Sequence, residues 1–355
     1  MKRRKTKVIK IGKIKIGGKN PVIIQSMTKT DTRETKKTIT QIKELEKAGC
    51  EIVRVAVKDV PAARAIKIIK RKINIPIVAD IHFDYRLALE SVKSGADKIR
   101  INPGNISKPE ELKEIIKAAK RQKIPIRIGL NSGSLRKSTV HSQQSTDLFV
   151  KTAQKYIKLF EKENFRDIII SLKSSDVRET VGAYKKLAAL CDYPFHIGVT
   201  AAGPYDTGIV KSSIGIGSLL LDGIGDTIRV SLTGNPIEEV TAAKRILQAL
   251  RLRNFGPEII SCPTCGRCQV DLVEIVKKFE KAILNTHYSI LDTKKPITIA
   301  IMGCEVNGPG EARQADIGVA FGKYFGMLFK KGKIVKKVKS KNAVKELLKI
   351  LNTKY

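Results

Sequence analysis

The sequence predicts an α/β protein, a (β/α)8 TIM barrel followed by a small α+β domain, and three observations carry that reading. From residue 22 one unit repeats: a short β-branched run, a turn, then an amphipathic helix. Eight such units fit into about 230 residues, the count and length of a (β/α)8 barrel. The rhythm then breaks at a cysteine motif beginning with Cys262. No G-x-G-x-x-G follows the first strand, which argues against an open doubly wound sheet.

The expected strands are Val22 to Met27, Ile52 to Val57, Ile75 to Ile81, Lys98 to Asn102, Pro125 to Asn131, Asp167 to Lys173, Phe195 to Thr200 and Thr227 to Leu232. Near-continuous apolar runs of this length suit parallel strands covered by helices on the outside. Helices are expected between them, among them Thr35 to Ala48, Pro109 to Gln122 and Asp176 to Leu190. Ahead of the first strand, Val8 to Ile16 with Gly17-Gly18 reads as a hairpin plugging the barrel bottom. Gly256 and Pro257 interrupt the pattern, so the barrel is assigned to residues 1–253 and the second domain to 254–355. That domain shows a helix near Val270 to Leu284, a strand at Ile297 to Met302 and a strand-rich, lysine-heavy end.

Composition narrows the function classes. The chain has 355 residues, 42% hydrophobic, and a formal net charge of +34. It shows no signal-peptide h-region and no apolar run long enough to span a bilayer, so a cytoplasmic enzyme without membrane segments is expected. The charge raises nucleic-acid binding as a reading. The chain lacks Trp, has 5% aromatics and spreads lysines such as Lys67, Lys70, Lys117 and Lys120 along helix faces, which favours an anionic small substrate instead.

Charges stand where a barrel interior is ordinarily apolar. Arg54, Arg100, Arg127 and Arg229 each sit between β-branched residues that face the helices, so alternation points each arginine into the barrel. Asp80, His82, Asn131, Lys173, Thr200 and Ser231 fall at or near strand ends. Internal pairing is available, but four arginines and a lysine face one obvious carboxylate, Asp80. The excess calls for an anion at the C-terminal ends of the strands, and the guanidinium fork suits phosphate oxygens.

Six cysteines in a chain without a signal peptide argue against a disulfide scaffold. Cys50 and Cys191 read as packing residues. Cys262-Pro263-Thr264-Cys265-Gly266-Arg267-Cys268, with Cys304 further on, points to a bound metal. Spacing alone leaves zinc and iron–sulfur both open.

Several segments together resemble the 4-hydroxy-3-methylbut-2-enyl diphosphate synthase family. They are Cys262 to Cys265 with Gly303-Cys304 and Asn307 to Ala312, Gln25 to Thr28 with Thr30 to Thr32, Arg100 to Asn105, and Gly129 to Ser134. The resemblance implies an iron–sulfur oxidoreductase acting on CH or CH2 groups. Its substrate would be 2-C-methyl-D-erythritol 2,4-cyclodiphosphate, opened and dehydrated to the linear allylic diphosphate with two electrons from ferredoxin or flavodoxin. It further implies a sulfite-reductase-like second domain holding a [4Fe–4S] cluster on Cys262, Cys265, Cys304 and Glu311. Substrate contacts fall by similarity on Arg54, Asp80, His82, Arg100, Arg127, Asn131, Lys173, Thr200, Arg229, Ser231 and Asn307. Glu311, Asn307 and His82 would take catalytic roles.

Two positions depart from the family. Cys268 is a cysteine where the motif places no ligand; it either competes with Glu311 for the fourth iron or is a bystander, and the bystander reading is preferred. Ala201 stands where the family has a glutamate after the threonine. Another carboxylate then serves, turnover is altered, or the reaction proceeds without it.

The rival enzyme reading is a zinc-stabilised barrel acting on a sugar phosphate without redox chemistry. The resemblance also implies a homodimer with a shared active site. The segment 254–261 spans at most roughly 25 Å when extended, which makes it awkward for the second domain to fold back over its own barrel mouth.

Overall fold

The structure, a computed structural model, describes all residues except 1, 103, 107, 135–141, 286–296 and 353–355; Pro103 of the Arg100-to-Asn105 segment thus lies outside the described residues. The chain divides into two compact units, Met1–Arg253 and Asn254–Tyr355.

The first unit opens with an antiparallel hairpin, β1 (Ile9–Ile11) and β2 (Ile14–Ile16). Eight parallel strands follow: β3 (Ile23–Met27), β4 (Ile52–Val57), β5 (Ile77–Ile81), β6 (Lys98–Ile101), β7 (Ile126–Asn131), β8 (Ile168–Lys173), β9 (His196–Ile197) and β10 (Thr227–Ile228). Their order is β8-β7-β6-β5-β4-β3-β10-β9. A parallel bridge from Ile170 to Phe195 joins the two ends and closes the barrel. Helices α1 (Thr35–Ala48), α2 (Val60–Lys70), α3 (Tyr85–Lys93), α4 (Pro109–Gln122), α5 (Ser142–Lys162), α6 (Val177–Ala188), α7 (Tyr205–Leu221) and α8 (Pro236–Ala249) alternate with the strands.

Local chemistry sets these boundaries. Asp59, Asp84, Asp176 and Asn235 each accept a backbone N–H in the first turn of the helix that follows. That satisfies donors the helix itself leaves unpaired. Proline opens α4 and α8, where its fixed φ is already helical.

Strands seven and eight of the barrel are shorter than the sequence predicts, two residues each. Thr200, Arg229 and Ser231 therefore lie just beyond the regular ladder. Backbone bonding continues there in isolated steps, Arg229 N–H to Ile197 O at 3.1 Å and Thr200 N–H to Ser174 O at 3.1 Å. The seam between β8 and β9 is partly stitched by a side chain. The Tyr184 hydroxyl accepts from Leu172 N–H at 2.9 Å and donates to His196 O at 2.6 Å.

The hairpin does plug the bottom. Ile9, Ile11 and Ile16 pack on Ile23, Ile52, Val78 and Ile169, the lowest inward-facing layer of the strands. Burying these branched side chains seals one end of the barrel against water.

The second unit is a five-stranded mixed sheet in the order β11 (Glu258–Ser261), β12 (Thr298–Met302), β13 (Ile317–Phe321), β14 (Gly326–Lys330), β15 (Lys333–Val338). The first three strands run parallel and the last two antiparallel. Helices α9 (Leu272–Asn285) and α11 (Ala343–Asn352) supply Leu272, Phe279, Leu347 and Leu351 to one core with Ile299, Ile301 and Val319. The short α10 (Gly308–Gln314) places Ala312 against Ala300, Met302 and Ala320 in a second cluster.

Candidate active site

At the C-terminal ends of the barrel strands lies a cavity of about 240 Å³. Arg54, Asp80, His82, Arg100, Arg127, Asn131, Lys173, Thr200, Arg229 and Ser231 all line it, together with Met27 and Ser171. Asn307 belongs to the second unit. Strand alternation brings these residues together: Arg100 faces Asp80 across β6 and β5, and Arg127 pairs in register with Arg100.

Asp80 is the hub. Arg100 Nη1 donates to its Oδ1 at 3.0 Å, Arg54 Nε stands 3.5 Å from Oδ2, and His82 Nε2 lies 3.4 Å from Oδ2. Burial alone would raise the Asp80 carboxyl, yet Arg54 and Arg100, with the His82 hydrogen bond, hold it well below the usual carboxylate range. Arg100 also donates to Gly129 O at 3.1 Å. A Cβ at Gly129 would stand 2.6 Å from Arg100 Nε, so only glycine lets this guanidinium lie flat against β7.

Among the described residues the buried cations exceed their partners. Arg127 is fully buried, and no described residue pairs its Nε or Nη1. Burial, with Arg54 and Arg100 adding repulsion, weighs on its charged form. Burial likewise drives the Lys173 ammonium well below its ordinary value, and Arg127 and Arg229 push it further. Arg54 is pushed down to about 9 by burial, only partly offset by Asp80. A guanidinium keeps its proton in a protein, so the arginines remain charged in this buried mouth.

A second carboxylate was missed by sequence reasoning. Glu239, on α8, is buried and accepts from Ser26 Oγ at 3.2 Å and Leu232 N–H at 3.1 Å. It stands 3.2 Å from Lys29 Nζ and 3.8 Å from Arg229 Nε. Asp80 is thus not alone, and Arg229 has an internal partner. Glu239 escaped notice because it reaches the interior from a helix, not a strand. Lys98 and His196, both fully buried beneath the cavity, were also missed. Lys98 donates to Gln25 Oε1 at 3.2 Å, and His196 Nδ1 lies 2.8 Å from Thr227 Oγ1. Burial keeps the His196 imidazole neutral, and Lys173 and Arg127 reinforce it. The Lys98-Ile99-Arg100 alternation held the signal for Lys98. Ala201 is exposed, at φ 48°, and is not among the cavity-lining residues.

In the second unit the cysteines gather around the ends of two adjacent parallel strands. Cys262 follows β11, and Cys304 comes two residues after β12. Gly303 N–H donates to Cys262 Sγ at 3.3 Å, and Gln269 N–H donates to Gly303 O at 2.8 Å. A Cβ at Gly303 would meet Cys268 Sγ at 2.3 Å and Cys262 Sγ at 3.5 Å, so the glycine is required for this packing. Cys268 donates to Val270 O at 3.2 Å and packs on the core beneath Gly303. Cys265 and Glu311 are exposed. The amides of Val306, Asn307 and Gly308 lower the Cys304 thiol below its ordinary value. Among the described residues no three His, Cys, Asp or Glu side chains stand together in reach of one metal ion. The donor set nevertheless fits a cluster. It supplies thiols from adjacent strand ends, one of them lowered below its ordinary value by backbone amides, with a carboxylate on the helix that follows.

A closed parallel barrel whose mouth holds more buried cations than carboxylates, joined to a cysteine-bearing α+β unit, defines an α/β-barrel enzyme for an anionic substrate. Solved structures share the barrel. Dihydropteroate synthase from Stenotrophomonas maltophilia superposes with a TM-score of 0.52 at 12% identity, over 68% of this chain and 97% of that one. The Yersinia pestis dihydropteroate synthase gives 0.51 at 11%, over 69% and 99%. At such identities the likeness concerns the fold alone. The family model described as the GcpE TIM-barrel domain matches residues 6–244, and that described as the GcpE protein C-terminal domain matches residues 258–353. A relative from Caldicellulosiruptor saccharolyticus is 55% identical over 352 residues, covering 99% of each chain. One from Fusobacterium nucleatum is 53% identical over 351 residues, covering 98% of this chain and 97% of its own. Both are named 4-hydroxy-3-methylbut-2-en-1-yl diphosphate synthase (flavodoxin). This chain belongs to the GcpE family, that of the 4-hydroxy-3-methylbut-2-en-1-yl diphosphate synthases. Among the described residues no helix is long and apolar enough to cross a membrane.

Proposed function

We propose that the chain reductively opens and dehydrates 2-C-methyl-D-erythritol 2,4-cyclodiphosphate in the cytoplasm, giving 4-hydroxy-3-methylbut-2-enyl diphosphate with two electrons supplied by flavodoxin. The observation that carries this reading is the barrel mouth, where among the described residues the buried Arg127 guanidinium has no partner for its Nε and Nη1, and Lys173 is buried in the same cavity wall. Arg127 and Lys173 bind the diphosphate and Arg100, held by Asp80 and Gly129 O, orients it. Fixed cations at this site also stabilise the negative charge that develops as the ring oxygen leaves. His82 Nε2, at the rim beside Asp80 Oδ2, can hold a proton for that oxygen. Asp80 is committed to Arg100 and Arg54, and Glu239, outside the cavity lining, to Lys29, Ser26 and the Leu232 amide, so neither stands in for the glutamate that the family has where this chain has Ala201.

A [4Fe–4S] cluster would be held by Cys262, Cys265, Cys304 and Glu311, and when bound it supplies single electrons and Lewis acidity. Gly303 N–H donates to Cys262 Sγ, and the amides around Cys304 lower that thiol below its ordinary value. Asn307, just ahead of α10, would approach the substrate from that side. We further propose a homodimer in which each cysteine-bearing unit serves its partner's barrel, supported by the short segment 254–261.

Anaerobic assay of the iron- and sulfide-reconstituted chain with the cyclic diphosphate and a chemical reductant tests the reaction; no linear diphosphate from brown, iron-replete protein would refute it. For the dimer, inactive Cys304→Ser and Arg100→Met chains are mixed. Random exchange should restore about a quarter of the intact sites. Silence despite proven heterodimers means that each site is built within one chain.

A further inference from the structure

One surface of the cysteine-bearing unit is left unexplained by the reaction. The turn between β13 and β14, Gly322-Lys323-Tyr324-Phe325, is closed by Gly322 N–H to Phe325 O at 2.9 Å. Tyr324 is 73% exposed and Phe325 49%. Among the described residues the other exposed aromatics are Phe83 and Tyr205, so two consecutive ones on a turn stand out.

Sheet register locates the turn. Met302 pairs with Ala320 and Phe321 with Gly326, so the turn emerges at the same end of the sheet as Cys262 and Cys304. A Cβ at Gly322 would stand 3.0 Å from Glu305 Oε2, which sets the turn against the residue after Cys304. β14 is two strand spacings from β12, about 10 Å. Val306, 60% exposed, extends the apolar patch toward the cysteines.

Lysines surround the patch. Lys337 pairs with Met327 at this end of the sheet, and Lys339 follows one residue after β15. Lys323, Lys337 and Lys339 are exposed, as is Arg267 in the cysteine loop. Between Asp316 and Glu346 the chain carries nine lysines and no acid. Glu305 is the carboxylate that faces the turn.

We propose that this turn and its flanking lysines form the docking face for an acidic one-electron carrier protein of the flavodoxin class. The apolar centre supplies contact area, and the cationic rim supplies steering and orientation. A second copy of this chain, itself at +34, has the wrong sign for such a surface. The inference rests on the proposed reaction only in naming the carrier.

The test uses the full, cluster-loaded chain and a Lys323→Glu, Tyr324→Ala, Lys337→Glu variant. Flavodoxin binding is measured by calorimetry at low and high salt. Turnover is measured with reduced flavodoxin and, separately, with reduced methyl viologen. The variant should bind flavodoxin at least tenfold more weakly, lose the salt dependence and raise KM for flavodoxin, with viologen-driven turnover unchanged. Unchanged flavodoxin affinity and KM overturn the proposal. So does a parallel fall in viologen-driven turnover with loss of dimer mass, which would make this face a contact between copies. Salt-sensitive binding to the wild type, weakened in the variant, in a chain that turns over under no reductant supports docking and sinks the reaction instead.

Discussion

The barrel mouth and the cysteine loops are two ways of building a site. In the barrel, strand alternation aims each side chain, and the groups are wired to one another before any ligand arrives: Asp80 to Arg54, Arg100 and His82, and Glu239 to Lys29 and Arg229. In the second unit the candidate ligands sit on strand-end loops and a seven-residue helix. The lesson is a division of labour. An anion site can be preformed by rigid strands, whereas a metal centre is completed by the metal, whose binding energy draws loops together.

If the two regions are separable, Cys304→Ser should abolish iron binding and turnover yet leave diphosphate affinity unchanged. Iron analysis beside calorimetry with inorganic diphosphate checks this, and a joint loss would break the comparison. Next in size, Arg127→Met should weaken diphosphate binding by roughly 2 to 4 kcal/mol, with iron content untouched. Arg100→Met should do the same and also destabilise the ligand-free barrel, because Asp80 loses its closest partner. Equal stability of the two variants in urea would show that the Asp80 pairing matters little.

Lys173 gives a pH signature. Its folded value lies well below the ordinary lysine value, through burial and then Arg127 and Arg229. Between the folded value and the unfolded one near 10.4, the unfolded chain holds the extra proton, so stability rises with pH. Relative to Lys173→Met, the ligand-free wild type should gain up to about 1.4 kcal/mol per pH unit in that window. Diphosphate, by pairing the ammonium, should flatten the slope, and urea titrations at successive pH values below about 10.4 measure both. A smaller effect is expected from Glu239→Gln, which loosens Arg229 and should raise KM by a few-fold. Smallest of all, Cys268→Ser should leave iron content nearly intact, since that thiol packs beneath Gly303.

Legibility in the sequence followed the same division. Period-two alternation revealed Arg54, Arg100, Arg127 and Asp80, because a strand has only two faces and one of them must be the interior. Glu239 was illegible, since on α8 it follows Glu238 and only the fold tells which of the two turns inward. Met27 and Ser171 carry no charge to attract notice. The last two strands were overextended because β-branched residues continue after Ile197 and Ile228, although the backbone there leaves the ladder. In the second unit the motif named the cysteines, but nothing in it shows that Cys268 lies under Gly303 instead of beside Cys304.

The Tyr184 hydroxyl has a consequence for how the barrel breathes. Where neighbouring strands from β3 to β8 share runs of backbone pairing, β8 and β9 depend in part on this one phenol, between Leu172 and His196. A closed barrel opens along its thinnest line, so amides of residues 195–200 should be the first of the strand amides to exchange with solvent deuterium. Lys173 stands on one lip of that line and Thr200 on the other. A diphosphate held across both lips would act as a clasp on the opening, slowing exchange along the whole seam far from the atoms it touches.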